Sequence, residues 1–140
     1  MNKTGPVVII EDDIDDQQIL ETIFQKLNYE NEVVFFADGE KALAYIARED
    51  VMPFLILSDI NMPRLNGMEL KMKIHTDAEL QKKCIPYLFF TTSASKKAVM
   101  DAYSMSAQGF FIKETAMEDI SLTIRAIMEY WRRCYSPSHF

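Results

Sequence analysis

The sequence predicts an α/β domain built on one parallel sheet of five strands with helices on both faces. Three observations lead there. Short apolar runs alternate five times with segments of helical periodicity, and the chain shows neither internal repeats nor low-complexity stretches. Several runs are apolar throughout, as in Val7-Val8-Ile9-Ile10 and Leu55-Ile56-Leu57, which is the pattern of strands buried on both faces. Runs also end abruptly in polar residues, Glu11-Asp12-Asp13 after the first and Asp59 after the third. In open parallel sheets that carboxyl edge is where ligands bind.

The elements follow in order. After Val7 to Ile10, residues Asp15 to Leu27 carry Ile19, Leu20, Ile23, Phe24 and Leu27 at helical spacing behind an Asp N-cap. Asn28 to Asn31 turn the chain into a second strand, Val33 to Ala37, and Asp38-Gly39 leads to a short helix bearing Ala42, Leu43 and Ile46. Met52-Pro53 opens the third strand, which delivers Asp59 into a loop marked by Pro63 and Asn66-Gly67. A helix from about Met68 to Thr76 pairs Met68 with Met72 and Leu70 with Ile74. Ile85-Pro86 starts a fourth strand, Tyr87 to Phe90, ending in Thr91-Thr92-Ser93, and a helix follows around Lys96 to Met105. The fifth strand, Phe110 to Ile112, ends in Lys113. The last helix runs from about Met117 to Trp131 or beyond, with Ile120, Ile124, Ile127 and Trp131 on one stripe.

Right-handed crossovers favour the doubly wound, flavodoxin-like strand order 2-1-3-4-5. Strands one and three are then neighbours. Glu11, Asp12 and Asp59 crowd one pocket, and Thr91 and Lys113 reach the same rim from strands four and five. A rim so rich in carboxylates calls for a cation. Asp13, Asp15 and Asp16 read instead as a solvated helix-start cluster that complements the helix dipole. The methionines and the Phe35-Phe36 and Phe89-Phe90 pairs read as packing.

Composition narrows the functions further. With 140 residues, 49% of them hydrophobic, the chain fits one domain, residues 1–140, with a core at about 7–131 and a short tail at 132–140. The formal charge is −6, and the basic residues form no stripe able to track phosphates, so nucleic acid is not an expected partner. Two cysteines outside any Cys-x-x-Cys pair and two histidines argue against structural zinc. No apolar run has the length of a membrane span and no targeting segment is visible, so the expectation is a cytoplasmic protein without a membrane partner.

The constellation Glu11-Asp12, Asp59-x-Asn61-Met62-Pro63 with Gly67, Thr91, and Phe110-x-x-Lys113 resembles the receiver domain of two-component response regulators. The resemblance spans roughly Val7 to Trp131. It implies a bacterial phosphorelay protein in which Asp59 takes a phosphoryl group from a sensor histidine kinase or a histidine phosphotransfer protein. Mg2+ would be held by Asp12, Asp59 and the Asn61 backbone carbonyl, with Glu11 acting through water. Octahedral Mg2+ keeps several waters at about 2.0 to 2.1 Å, which suits so few protein ligands. Lys113 and the Thr91 hydroxyl would take phosphoryl oxygens, and Thr91 and Phe110 would act as the switch. Such a module is not an enzyme in the usual sense, although it promotes its own phosphorylation and dephosphorylation.

Glu114 stands where receivers usually carry proline after the lysine. A non-proline cis peptide costs about 2.5 to 4 kcal/mol, so the Lys113-Glu114 bond is expected to be trans. This departure, the Thr91-Thr92-Ser93 run and the Trp-bearing last helix are similar to small regulators paired with phytochrome-type kinases. A haloacid-dehalogenase-type phosphohydrolase also uses a strand-end Asp, but it needs a second Asp where this chain has Asn61. A degenerate receiver acting as a phosphorylation-independent binding module is the alternative. No output domain is expected, so the signal would leave through the helix around 96–105, the fifth strand and the last helix. Tyr130, Trp131 and Tyr135 with neighbouring arginines suggest a homodimer contact.

Overall fold

The computed structural model describes residues 1–140, the side chain of Ser138 excepted. The sheet contains β1 (Val7–Ile10), β2 (Val33–Phe36), β3 (Leu55–Ser58), β4 (Tyr87–Thr91) and β5 (Gly109–Ile112). All neighbours pair in parallel in the order β2-β1-β3-β4-β5, the flavodoxin-like order the alternation predicts. The connecting helices are α1 (Ile14–Leu27), α2 (Gly39–Ile46), α3 (Gly67–His75), α4 (Ala78–Gln81), α5 (Lys96–Ser104) and α6 (Met117–Arg133).

Successive strand residues face opposite sides of a sheet, and here the two sides hold separate cores. Val7, Ile9, Leu55, Leu57, Leu88 and Phe90 pack with Leu20, Ile23 and Phe24 of α1 and with Ile120, Ile124, Ile127 and Met128 of α6. On the other side Val8, Ile10, Ile56, Tyr87 and Phe89 meet Ala42 and Ile46 of α2, Leu70 and Ile74 of α3, and Ala102 of α5. A continuous apolar strand is the sequence signature of exactly two such faces being filled.

Helix starts follow their capping chemistry. The Asp13 side chain accepts from the amides of Asp15 and Asp16, Asp38 caps α2 through the amide of Lys41, and Asn66 forms a capping box with Glu69 on α3. Two expectations need correction. The third strand begins at Leu55 rather than at Met52-Pro53, because Pro53 has no N–H for the ladder; its carbonyl instead accepts from the amide of Asn2 at 3.2 Å. The sequence reading also lacked α4, a single turn capped by Asp77 with Leu80 as its buried residue, too short to show periodicity. The helices expected as fourth and fifth are therefore α5 and α6.

The Lys113-Glu114 peptide is trans, as the absence of proline there predicts. Trp131 is half-buried and packs against the α1/α6 core, whereas Tyr130 and Tyr135 point outward. Among the described residues no helix is long and apolar enough to cross a membrane, and Cys84 and Cys134 are free thiols.

Candidate functional site

Register brings the acidic residues together. Ile10 pairs with Ser58, so Glu11 and Asp59 leave β1 and β3 side by side. The Asp59 amide donates to the Ile10 carbonyl at 3.0 Å and the Glu11 amide to the Phe36 carbonyl at 2.8 Å, which fixes both backbones at the carboxyl edge. One oxygen from each of Glu11, Asp12 and Asp59 lies within 4.8 Å of the others, a spacing suited to one cation. Glu11 and Asp59 are buried, and Asp12 is exposed at the mouth.

Lys113 enters from the far side of the sheet. Its amide donates to the Thr91 carbonyl at 2.7 Å, extending the β4/β5 ladder by one residue and turning its side chain over the pocket. The ammonium donates to Glu11 Oε2 at 2.5 Å, Asp59 Oδ2 at 3.0 Å and Asp16 Oδ2 at 3.1 Å. The other Asp59 oxygen accepts from the Ile60 amide at 2.7 Å. Asp16, expected in solvent with Asp13 and Asp15, pairs with Lys113. One turn into α1 it instead faces the end of β5, half-buried against Lys113.

Burial drives the Glu11 carboxyl up to about 7, against the opposing pull of Lys113. Burial also raises Asp59, but the Lys113 charge and hydrogen bonds from Glu11 and Lys113 outweigh it and hold Asp59 below the usual carboxylate value. Crowded carboxylates thus resolve into one that keeps a proton near neutrality and one that stays ionised. Burial lowers Lys113, yet its hydrogen bonds and charge pairing with Glu11 and Asp59 prevail and keep it protonated.

Thr91 ends β4 with its hydroxyl buried, near enough to Asp59 to help lower that carboxyl but in no well-formed hydrogen bond. Thr92, the next residue, is exposed. A buried hydroxyl so poorly paired at the rim is a costly feature in a resting fold and a useful one if an oxygen-rich group arrives. Phe110 is half-buried against Phe89, ring centroids 5.8 Å apart. Asn61 lies in the exposed loop after Asp59.

That loop is held at both ends. The Gly67 amide donates to the Ile60 carbonyl at 2.8 Å, and the Tyr87 hydroxyl, buried in the core, donates to the Gly67 carbonyl at 3.0 Å. Arg64, with φ 63°, pairs with the buried Asp38 at 2.9 Å, while the Gly39 amide donates to the Leu65 carbonyl at 3.1 Å. The start of α2 therefore braces the segment that carries Asn61. Sequence reading took Asp38-Gly39 only as a helix start, and no local signal links it to Arg64.

A five-stranded doubly wound sheet with a carboxylate pocket where the strand order reverses, overhung by a strand-end lysine, defines the class of receiver modules. The model of the response regulator receiver domain matches residues 7–125, and the chain belongs to that family. It is 27% identical over 129 residues to the probable methanogenesis regulatory protein FilR2 of Methanothrix harundinacea, covering 89% of this chain and 82% of that protein. Among solved structures, the phosphorylated cyanobacterial phytochrome response regulator RcpA superimposes with a TM-score of 0.83 at 24% identity, covering 94% of this chain and 96% of that one. The manganese-bound form of response regulator Rcp1 gives a TM-score of 0.81 at 23% identity, covering 94% and 97%. A curated comparison with Rcp1, from Synechocystis sp., gives 23% identity over 135 residues, 93% of this chain and 90% of that protein.

Proposed function

We propose that this chain acts as a cytoplasmic response regulator receiver that accepts a phosphoryl group on Asp59 in a Mg2+-dependent reaction. The donor is the phosphohistidine of a sensor histidine kinase or histidine phosphotransfer protein. The observation that carries this reading is the pairing of an ionised Asp59, held by Lys113 and the Ile60 amide, with a buried Thr91 hydroxyl beside it that makes no well-formed hydrogen bond. The metal-bound Rcp1 and phosphorylated RcpA structures support the same chemistry.

Asp12 and Asp59 would hold the metal with the Asn61 carbonyl, and Glu11 through a water. When bound, Mg2+ supplies positive charge to the transferring phosphoryl oxygens. Asp59 attacks phosphorus, the P–N bond breaks, and its electron pair leaves with the imidazole, which then takes a proton. Lys113 and Thr91 each donate to an oxygen of the resulting acyl phosphate. Phe110 would follow Thr91 as that hydroxyl moves. The β5 edge, α5 and α6 present exposed Tyr103, Ile112, Met117, Leu122 and Tyr130, a surface for a downstream protein and for a homodimer.

Acetyl phosphate tests the reading directly. Wild type should become phosphorylated with Mg2+ present and remain unmodified in EDTA, and Asp59→Asn should not be labelled. Labelling that survives EDTA would refute the Mg2+ requirement, and none under any condition would replace this reading with that of a phosphorylation-independent binding module.

A further inference from the structure

A lysine ammonium has three N–H donors. In this site Lys113 has three carboxylates in reach, Glu11 at 2.5 Å, Asp59 at 3.0 Å and Asp16 at 3.1 Å. A phosphoryl oxygen that draws Lys113 therefore competes with them. The three differ in what can replace the lysine. Glu11 is 3% exposed, and its other oxygen already accepts from the Asp13 amide at 3.1 Å. Asp59 carries the phosphoryl, so its contact with Lys113 passes to the oxygens of that group. Asp16 is 32% exposed, so water can take the place of the ammonium.

We infer that Asp16 is the carboxylate that yields. It holds Lys113 toward α1 in the resting protein, competes with the phosphoryl group for it, and turns into solvent when Asp59 is phosphorylated. The inference rests on the phosphoacceptor reading and adds a positioning residue that acts through Lys113. Two further observations fit this exchange. A hollow of 340 Å³ lined by Asp16, Phe90, Thr92, Lys113 and Glu114 lies beside the ammonium and gives the side chain room to turn. The Asp16 amide is fixed by the Asp13 cap at 3.1 Å, so the side chain can change rotamer while the helix start stays in place.

Removing a competitor should strengthen the competing contact. Affinity for beryllofluoride, a phosphoryl mimic, is measured at saturating Mg2+ from the amide NMR shifts of Thr91 and Lys113 in wild type, Asp16→Asn, Asp16→Glu and Asp15→Asn. Loss of a partly exposed ion pair corresponds to about fivefold tighter binding in Asp16→Asn. Asp16→Glu, which keeps a carboxylate, should return most of the way to wild type. Asp15→Asn removes the same charge from the same turn and should bind as wild type does. Unchanged or weaker binding by Asp16→Asn overturns the inference, as does equal tightening in Asp15→Asn, which would reduce the effect to net charge. Failure of wild type itself to bind the mimic would instead refute the phosphoacceptor reading.

Discussion

A methyl group added at Gly67 tests how tightly the fold positions Asp59. An ideal Cβ there would lie 2.0 Å from the Asp59 carbonyl oxygen and 2.9 Å from Ser58 Oγ. Nonbonded carbon contacts settle at about 3.5 Å, so the Asp59 backbone must retreat by roughly 1.5 Å or α3 must lift away. Overpacking of this kind costs about 1 to 3 kcal/mol, or roughly 4 to 12 °C in Tm for a chain of this size. The same displacement moves the nucleophile, and about 1 Å of misplacement costs on the order of a hundredfold in rate. Gly67→Ala should therefore show both effects in thermal denaturation and in acetyl phosphate labelling at a temperature where it is folded. Gly5→Ala is the matched control: its Cβ would meet the Met52 carbonyl at 2.0 Å, before β1 and away from the pocket. It should lose stability but keep the labelling rate. A Gly67→Ala protein that labels within about threefold of wild type would refute the coupling of this glycine to Asp59.

Because burial raises Glu11 to about 7, metal must displace its proton, and Mg2+ affinity should rise with pH. The expected gain is about tenfold between about pH 6 and about pH 8, measured by calorimetry, and Glu11→Gln should flatten it. For the metal-free protein the sign is opposite: a raised carboxyl adds stability below its unfolded value of 4.5 and loses that contribution as pH climbs through about 7. Asp38→Ala removes the α2 cap and the partner of Arg64, and urea unfolding should show a loss of about 1 to 2 kcal/mol. If the exposed Tyr130 and Tyr135 end of α6 joins two copies, sedimentation should show a beryllofluoride-strengthened dimer that truncation after Tyr130 weakens; a monomer throughout, or a dimer indifferent to truncation, would remove the tail from the contact.

What was legible in the sequence was what repeats or what ends a strand. Val7 to Ile10 and Leu55 to Leu57 announce buried parallel strands by composition alone, and the order 2-1-3-4-5 then places Glu11 beside Asp59. Lys113 and Thr91 follow from the same rule, since each terminates its strand at the same edge. Charged residues on a helix carry no apolar period, so Asp16 looked like Asp15, and only the packing of α1 against the end of β5 separates them. The Arg64–Asp38 pair joins two loops 26 residues apart, a contact that no local pattern encodes. The aromatic surplus at the end of α6 was visible but its division was not: Trp131 serves the core, and Tyr130 and Tyr135 stay outside.

The central claim is that Asp59 carries the phosphoryl group. Borohydride reduction after acetyl phosphate and Mg2+ treatment converts an aspartyl phosphate to homoserine, and peptide mass spectrometry locates it. Homoserine is expected at position 59 alone, and absent without Mg2+. Homoserine at Asp12, Asp16 or any other carboxylate, or intact Asp59 in a labelled protein, would contradict it.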